Sequence, residues 1–462
     1  MDRLLPFQDY GAKWLPLRKC RLLADQMGLG KTPQIITAAD IVGAEKVLVV
    51  CPAVAKVNWL REFERWSWWG REFCYRKKGK FPTNPTAPSR IESYDGVIQA
   101  AKGGVFWQAK EEWDLLILDE SHFTKSMDAK RTKAIFGKNG LVRRAKRVWA
   151  VTGTPMPSHP GELWTIMYTF GATRLRYIPF IMRYCEFAPG CGPSSGQMQI
   201  KGAKRERLPE LRRLLKPIML RRRMEDVMPE LPPYIFSDVV VEPGEVDLRL
   251  VGSFATRMYP VDLSDEIYSE VARQEEEAEK VFPDMKALEA MAGSISTLRL
   301  FVGLQKIKPV AELISDELRR NEYQKIVIFA IHRDVIEGLR RELKDFDCVT
   351  LYGKTPPERR QRNIDRFKKK KSCRVFIGNI HAAGTNLTLT EADQVLFVEQ
   401  AWTPGDNAQA AARCRRIGTT RPVNVRFVSI ADSIDEKISA ILRRKAKDIS
   451  EIFDKKDVDG LA

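Results

Sequence analysis

Short β-branched runs alternate with amphipathic helical stretches in two separate blocks of the chain, and that alternation limits the fold more than any other feature. In the first block Leu22-Leu23-Ala24, Val47-Leu48-Val49-Val50, Leu115-Leu116-Ile117-Leu118 and Val148-Trp149-Ala150-Val151 read as strands buried on both faces. In the second block Ile326-Val327-Ile328-Phe329, Val349-Thr350-Leu351, Val375-Phe376-Ile377 and Val395-Leu396-Phe397-Val398 do the same. Helices lie between them, as over 332–345, where Val335, Ile336, Leu339 and Leu343 make one apolar stripe. Such alternation predicts α/β architecture: a parallel sheet in each block, with helices on both faces.

At 462 residues the chain also exceeds the size at which a single core usually stops growing. The boundary is expected near Leu231-Pro232-Pro233. That gives a first domain over 1–230, with a helical insertion at about 160–230, and a second over 231–462, with a helical insertion at about 245–305. The first insertion is rich in aromatics, Arg and Pro and carries a loop at Ala188-Pro189-Gly190-Cys191-Gly192-Pro193. Residues 262–300 read as helical and highly charged, as at Glu275-Glu276-Glu277.

The 77 basic and 60 acidic side chains leave a formal charge of +17, which favours a polyanionic partner such as nucleic acid or marks a merely soluble basic protein. Lys368 to Lys371 read as a localisation signal or as a solvated helix end. No run approaches the roughly 18 consecutive apolar residues of a membrane span. Met1-Asp2-Arg3-Leu4-Leu5-Pro6 is too short and too acidic for a signal peptide, so a cytoplasmic or nucleoid-associated location is expected. The eight cysteines include no C-x-x-C pair and no zinc spacing, and are read as reduced thiols.

Leu22-Leu23-Ala24 leads into Asp25-Gln26-Met27-Gly28-Leu29-Gly30-Lys31-Thr32 and then an amphipathic helix. A strand, a glycine loop and a helix N-terminus together make an anion cradle, with backbone N–H groups and the helix dipole facing phosphate oxygens. Gly28, Leu29 and Gly30 form the close backbone approach, Lys31 reaches β- and γ-phosphates, and the Thr32 hydroxyl suits Mg2+. Asp25 stands where the standard pattern has Gly. Asp119-Glu120-Ser121-His122 follows the apolar run Leu115 to Leu118, which sets Asp119 to hold the metal and Glu120 to orient or deprotonate the attacking water. Together these imply ATP hydrolysis with ATP and Mg2+ bound.

In this order the motifs resemble helicase superfamily two, and within it the Swi/Snf-type DNA translocases. Leu5-Pro6-Phe7-Gln8-Asp9-Tyr10-Gly11 is similar to the adenine-reading Q motif, with Gln8 as the base contact. Cys51-Pro52-Ala53 through Asn58-Trp59 and Glu62 resembles motif Ia, and Thr152-Gly153-Thr154-Pro155 with Glu162-Leu163-Trp164 resembles motif III. Leu220-Arg221-Arg222, Asp226-Val227 and Leu231-Pro232 look like the close of the first lobe. The likeness continues through Leu351-Tyr352-Gly353 and Arg359 to Phe367, then Ala382-Ala383-Gly384, Leu387-Thr388-Leu389-Thr390 and Asp393. It ends with Trp402-Thr403-Pro404 and Gln409, Arg413, Arg416, Ile417 and Gly418.

The resemblance implies two RecA-like lobes with ATP in the cleft between them, and Arg413 and Arg416 as arginine fingers across it. From residues alone they read as a basic helix face, with i and i+3 spacing that turns both one way. The family implies double-stranded or branched DNA as the track, with Lys56, Asn58 and Trp402 as contacts. Trp402 reads as a wedge or as an ordinary core aromatic. Ser158-His159-Pro160-Gly161-Glu162-Leu163-Trp164, Tyr184-Cys185 and Leu304-Gln305-Lys306 look most like the annealing-helicase branch. A nearly bare, monomeric motor is expected, targeted by a protein partner. Strand separation, or an ATP-dependent DNA clamp that recruits a partner, stand as the alternatives.

Departures from the pattern are Ser121 for Ala, Gln26 for Glu, Asn386 for Gly, and Ala412, Arg415 and Thr419 for Asp, His and Gln.

Overall fold

The computed structural model describes residues 3–76, 82–84, 86–101, 111–188, 191–192, 200–244, 292–353, 355–383, 387–416, 419–431 and 433–453. Glu275-Glu276-Glu277, Pro189, Gly190, Pro193, Gly384, Asn386, Ile417 and Gly418 lie outside them. Two units emerge: the first is Met1–Glu186, Lys201–Glu230 and Lys447–Ala462, the second Phe187–Ile200 and Leu231–Ala446.

The first unit is built on an eight-stranded sheet with order β10-β1-β7-β6-β2-β5-β3-β4. Its strands are β1 (Cys20–Leu23), β2 (Val47–Cys51), β3 (Phe73–Arg76), β4 (Pro82–Thr83), β5 (Ser89–Ser93), β6 (Trp113–Asp119), β7 (Ala145–Val151) and β10 (Met219–Leu220). Only β4 runs antiparallel, against β3. β2 is buried along its whole length, as a strand covered on both faces must be. Trp59, Phe63 and Trp149 pack with Ile35, Val49 and Ile117 on one face. The expected insertion at 160–230 is only partly helical. Beside helices Trp164–Thr169, Tyr177–Tyr184 and Leu208–Leu215 it contains β8 (Cys185–Phe187), β9 (Ile200–Ala203) and β10, and β10 completes the main sheet beside β1.

The second unit carries six parallel strands in the order β11-β16-β15-β12-β14-β13. These are β11 (Tyr234–Val241), β12 (Ile326–Ala330), β13 (Val349–Leu351), β14 (Val375–Asn379), β15 (Gln394–Phe397) and β16 (Val423–Ile430). Val335, Ile336 and Leu339 pin helix Arg333–Glu342 to one face, while Ile364 and Phe367 pin helix Pro357–Lys369 to the other. Of the expected 245–305 insertion, helix Ala292–Gln305 is described. Among the described residues no helix is long and apolar enough to cross a membrane. All eight cysteines are free thiols.

A largely buried ion pair fastens helix Ile307–Arg319 to β16: Arg426 donates Nη1 to Glu317 Oε1 at 2.5 Å and Nη2 to Oε2 at 2.8 Å, and the Tyr323 hydroxyl donates to Oε2 at 2.6 Å. Burial alone would push the Glu317 carboxyl up, but Arg426 and Tyr323 hold it below the usual range. A depressed carboxyl contributes stability above its unfolded value of about 4.5 and loses it as pH falls through the folded value. Glu317→Gln is therefore expected to cost about 2 kcal/mol at pH 7 and progressively less below pH 4. Thermal unfolding of both proteins at the two pH values checks this.

Candidate nucleotide-binding site

β1 delivers Ala24 and Asp25 to a loop that turns through Gly28 at φ +89° and Gly30 at φ +67° before helix Lys31–Ile41 begins. Only glycine takes these left-handed angles without strain. A Cβ on Gly30 would also stand 2.4 Å from Gln8 Nε2. Gln8 donates from that nitrogen to the Leu29 carbonyl at 3.1 Å and accepts from Leu5 N–H at 2.9 Å, so it closes helix Pro6–Trp14 onto the loop. Lys31 Nζ donates to the carbonyls of Asp25, at 2.8 Å, and Gln26, at 3.2 Å. Burial lowers the Lys31 pKa, with Glu120, Asp25 and Asp119 opposing the fall. Half-buried Thr32 follows on the same first turn, and Pro33 is tolerated there because its missing N–H would have no helical partner.

Asp25, fully buried, explains itself through Arg222. The guanidinium donates Nε to Oδ1 at 2.9 Å and Nη2 to Oδ2 at 2.5 Å, and also reaches the Phe7 carbonyl and Gln34 Oε1. Neighbouring Arg221 spans the carbonyls of Ala24 and Gly153, at 3.2 and 3.5 Å.

Asp119 ends β6 and is held from three directions. Trp59 Nε1 donates to Oδ2 at 2.7 Å, Glu120 N–H to Oδ1 at 3.0 Å, and the Tyr94 hydroxyl to the Asp119 carbonyl at 2.7 Å. Burial, then the adjacent Glu120 charge, raises its pKa to about 7, against the pull of Trp59, the Glu120 N–H and Lys31. Glu120 has φ 48°, a left-handed conformation that costs a non-glycine residue about 1–2 kcal/mol. His122 Nδ1 lies 3.0 Å from Thr152 Oγ1, 3.3 Å from Thr154 Oγ1 and 3.3 Å from Glu120 Oε2, joining the Glu120 carboxylate to the turn after β7. In that turn a Cβ on Gly153 would lie 2.5 Å from Met27 Cγ and 3.4 Å from Lys31 Nζ.

Lys31 and the Asp119–Glu120 strand end are thus brought together in one unit through the turn Thr152–Thr154, whose Gly153 lies beside Lys31. The residues fit a nucleoside triphosphate with a divalent cation. The loop offers left-handed glycines, an amine and a hydroxyl at a helix N-terminus, and the carboxylates carry crowded negative charge that a cation relieves.

Arg413 and Arg416 belong to the second unit. The expected shared helix face is corrected: helix Pro404–Ala411 ends before them, and Arg413 N–H closes a turn onto Ala410. Arg416 starts a separate turn, its N–H donating to Thr419 Oγ1 at 2.9 Å. Helical spacing therefore does not orient them. Arg415 between them is nearly buried, lies 4.7 Å over the Tyr234 ring and donates to the Pro232 carbonyl, a packing role.

Of the expected DNA contacts, Lys56 pairs with Glu92 at 3.0 Å, and Asn58 is half-buried on the same helix, Lys56–Trp66. Trp402 is 37% exposed. Arg299 stacks 4.6 Å over its ring, and Lys445 Nζ donates to its carbonyl at 3.2 Å. It is neither a core residue nor a loose one.

Sequence reasoning gave no role to Trp59, Arg221 or Arg222 beyond their place in motifs, and none to Tyr94. The one available signal was Trp59, whose indole N–H must find an acceptor once the ring is buried.

The glycine loop at a β–α junction, facing a strand-end carboxylate pair in a parallel sheet, defines a P-loop nucleotide-binding protein. Residues 7–250 match the SNF2-related domain and residues 305–418 the helicase conserved C-terminal domain. The chain belongs to the SNF2-related family.

Over 455 residues it is 29% identical to the DNA annealing helicase and endonuclease ZRANB3 of Mus musculus, covering 96% of this chain and 40% of that protein. Over 462 residues it is 32% identical to the SWI/SNF-related matrix-associated actin-dependent regulator of chromatin subfamily A-like protein 1 of Xenopus tropicalis, covering 96% and 44%. The chain thus spans less than half the length of these curated relatives. Among solved structures, the Sulfolobus solfataricus SWI2/SNF2 ATPase core in complex with dsDNA aligns with 98% of each chain at 21% identity and a TM-score of 0.43.

Trp59→Phe deletes the donor to Asp119 and puts a smaller ring in the buried site. Supports behind a metal ligand typically matter by 10–100-fold. Mn2+ binding in the presence of a non-hydrolysable ATP analogue, followed by electron paramagnetic resonance, is expected to weaken about tenfold, with a lower thermal unfolding midpoint from the smaller buried ring.

Proposed function

We propose that this chain is a DNA-dependent ATPase that translocates on double-stranded DNA and remodels or anneals it. The observation that carries the proposal is the linkage of Glu120, through His122, to Thr152 and Thr154 in the turn whose Gly153 lies beside Lys31. Family membership and the annealing-helicase name of a relative support the choice of DNA.

The backbone of Gly28, Leu29 and Gly30 cradles phosphate oxygens, and Lys31 neutralises their charge. Thr32 and Asp119 would hold Mg2+, which when bound would polarise the phosphates. Glu120 orients the attacking water and accepts its proton, and its strained backbone keeps the carboxylate directed by the strand end rather than by a helix. Gln8 reads the base at the margin of the loop it already closes. Arg413 and Arg416 supply positive charge from the second unit, so that hydrolysis depends on domain closure and closure becomes movement along DNA. Lys56, Asn58 and Trp402 contact the track. The motor works as a monomer, and a protein partner directs it to its substrate.

ATPase rates measured side by side with duplex, single-stranded and forked DNA and with RNA test the reading. Duplex-containing DNA is expected to stimulate most, with stimulation falling steeply as salt rises. Preference for RNA, or no stimulation at all, sinks it. Unwinding of a simple forked duplex without displacement of a triplex strand would favour strand separation, and full biological activity of Lys31→Ala would favour a clamp. Arg416→Ala is expected to bind ATP and DNA but to lose roughly 100-fold or more in kcat.

A further inference from the structure

Helix Pro357–Lys369 of the second unit carries a charge pattern that its own stability does not explain. Residues 357–371 contain eight Lys and Arg against Glu358 and Asp365. Other exposed helices of the same unit are balanced. Arg333–Glu342 has Arg333, Arg340 and Arg341 against Asp334, Glu337 and Glu342, and Ile307–Arg319 has Lys308 and Arg319 against Glu312, Asp316 and Glu317. Ile364 and Phe367 are buried against the sheet. Arg359, Arg362, Arg366 and Lys369 are all exposed, and their i, i+3, i+7, i+10 spacing makes one stripe along the opposite side. Lys370 and Lys371 continue it past the helix end.

The cations at the C-terminal end suit the helix dipole, but Arg359 opposes it in the first turn. Like charges at i, i+3 and i, i+4 repel as well. Asp347 partly satisfies Arg366 and Lys370, and Glu391 lies 3.9 Å from Lys368. Arg359, Arg362, Lys369 and Lys371 have no carboxylate partner among the described residues. The stripe is about 15 Å long at 1.5 Å per residue, a length over which duplex DNA presents roughly nine phosphate charges. It starts where β13 ends, at the C-terminal edge of the sheet, and runs back to the N-terminal end of β14.

We propose that this face holds the phosphate backbone of a second DNA duplex arm, one not engaged by the proposed track contacts Lys56, Asn58 and Trp402. Its guanidinium and ammonium groups neutralise phosphates without reading bases, so the face distinguishes branched from linear DNA by the number of arms that it can engage. The inference rests on the reading of the chain as a DNA-acting motor.

The test is Arg362→Gln/Lys369→Gln/Lys371→Gln in the full chain, with binding to a short linear duplex and to a forked DNA with two duplex arms measured by fluorescence anisotropy over a salt series. The substituted side chains are exposed, and a thermal unfolding midpoint no lower than that of the unaltered protein reports an intact fold. Expected are unchanged affinity and ATPase stimulation with the linear duplex, roughly tenfold weaker binding of the forked DNA, and a log–log salt slope for the forked DNA smaller by about 2–3.

Unchanged affinity and slope with forked DNA would overturn the proposal. Equal losses on both DNAs would also overturn it, since the helix would then belong to the track. Unchanged forked-DNA binding with lost binding of a poly-glutamate peptide would assign the face to an acidic protein instead. Absence of stimulation of the unaltered protein by any DNA strikes at the motor reading itself, and is read from a separate arm of the experiment.

Discussion

The fully buried carboxylate of Asp25 sets the terms for the rest of the first unit. A lone ionised carboxylate at that depth would cost several kcal/mol, so it must be paired. The Arg222 guanidinium donates to each carboxylate oxygen, Gln34 Nε2 and the Arg222 N–H add a donor each, and the guanidinium also reaches Phe7 and Gln34. One ion pair thereby ties the phosphate loop, helix Pro6–Trp14, helix Lys31–Ile41 and the segment after β10. A glycine at position 25 would leave Arg222 without that carboxylate, and the loop would lose its link to β10, a strand only two residues long with little ladder of its own. The apparent departure from the usual loop pattern is a structural requirement.

The same unit accepts instability where the chemistry is proposed to occur. Asp119 and Glu120 are adjacent, half-buried carboxylates, and burial with the neighbouring charge raises the Asp119 pKa. Glu120 adds backbone strain. Nothing in the packing of β6 requires either feature, since Leu115 to Leu118 already bury that strand. Trp59 and Tyr94 hold this arrangement without neutralising it, because an indole N–H and a phenol are donors that carry no charge. The site therefore keeps its attraction for cations.

What was legible in the sequence follows from range. The central strands of both sheets show as apolar runs because burial on both faces leaves no other composition. Ser89–Ser93 escaped because it alternates in burial and is polar, and Met219–Leu220 because two residues have no periodicity. Lys31, Asp119 and Glu120 were readable because loop and strand-end chemistry is local. Trp59 with Asp119 and Arg222 with Asp25 were not, for their partners lie far along the chain and only the sheet order brings them together. The shared helix face expected for Arg413 and Arg416 is absent for the opposite reason. A local rule, helical spacing, was applied past the end of a helix that finishes at Ala411.

The second unit holds Trp402, a proposed contact to DNA, half-exposed and already ordered. Stacking on Trp402 is useful only if ordering the side chain is not left to the moment of binding. Arg299 covers one part of its ring and donates to the Gln400 carbonyl two residues earlier. Glu399 accepts N–H donors from Ile331 and His332, each at 2.8 Å, and contacts the His332 ring at 2.6 Å. Asn379 donates to the Ile331 carbonyl at 2.6 Å. The C-terminal ends of β12, β14 and β15 are thus joined at one edge of the sheet, the edge at which parallel α/β sheets place their ligands. Trp402 stands on that joined edge rather than on an independent loop. Its entropy is already low, so contact with DNA would cost little further ordering, and a shift of that edge would carry the ring with it.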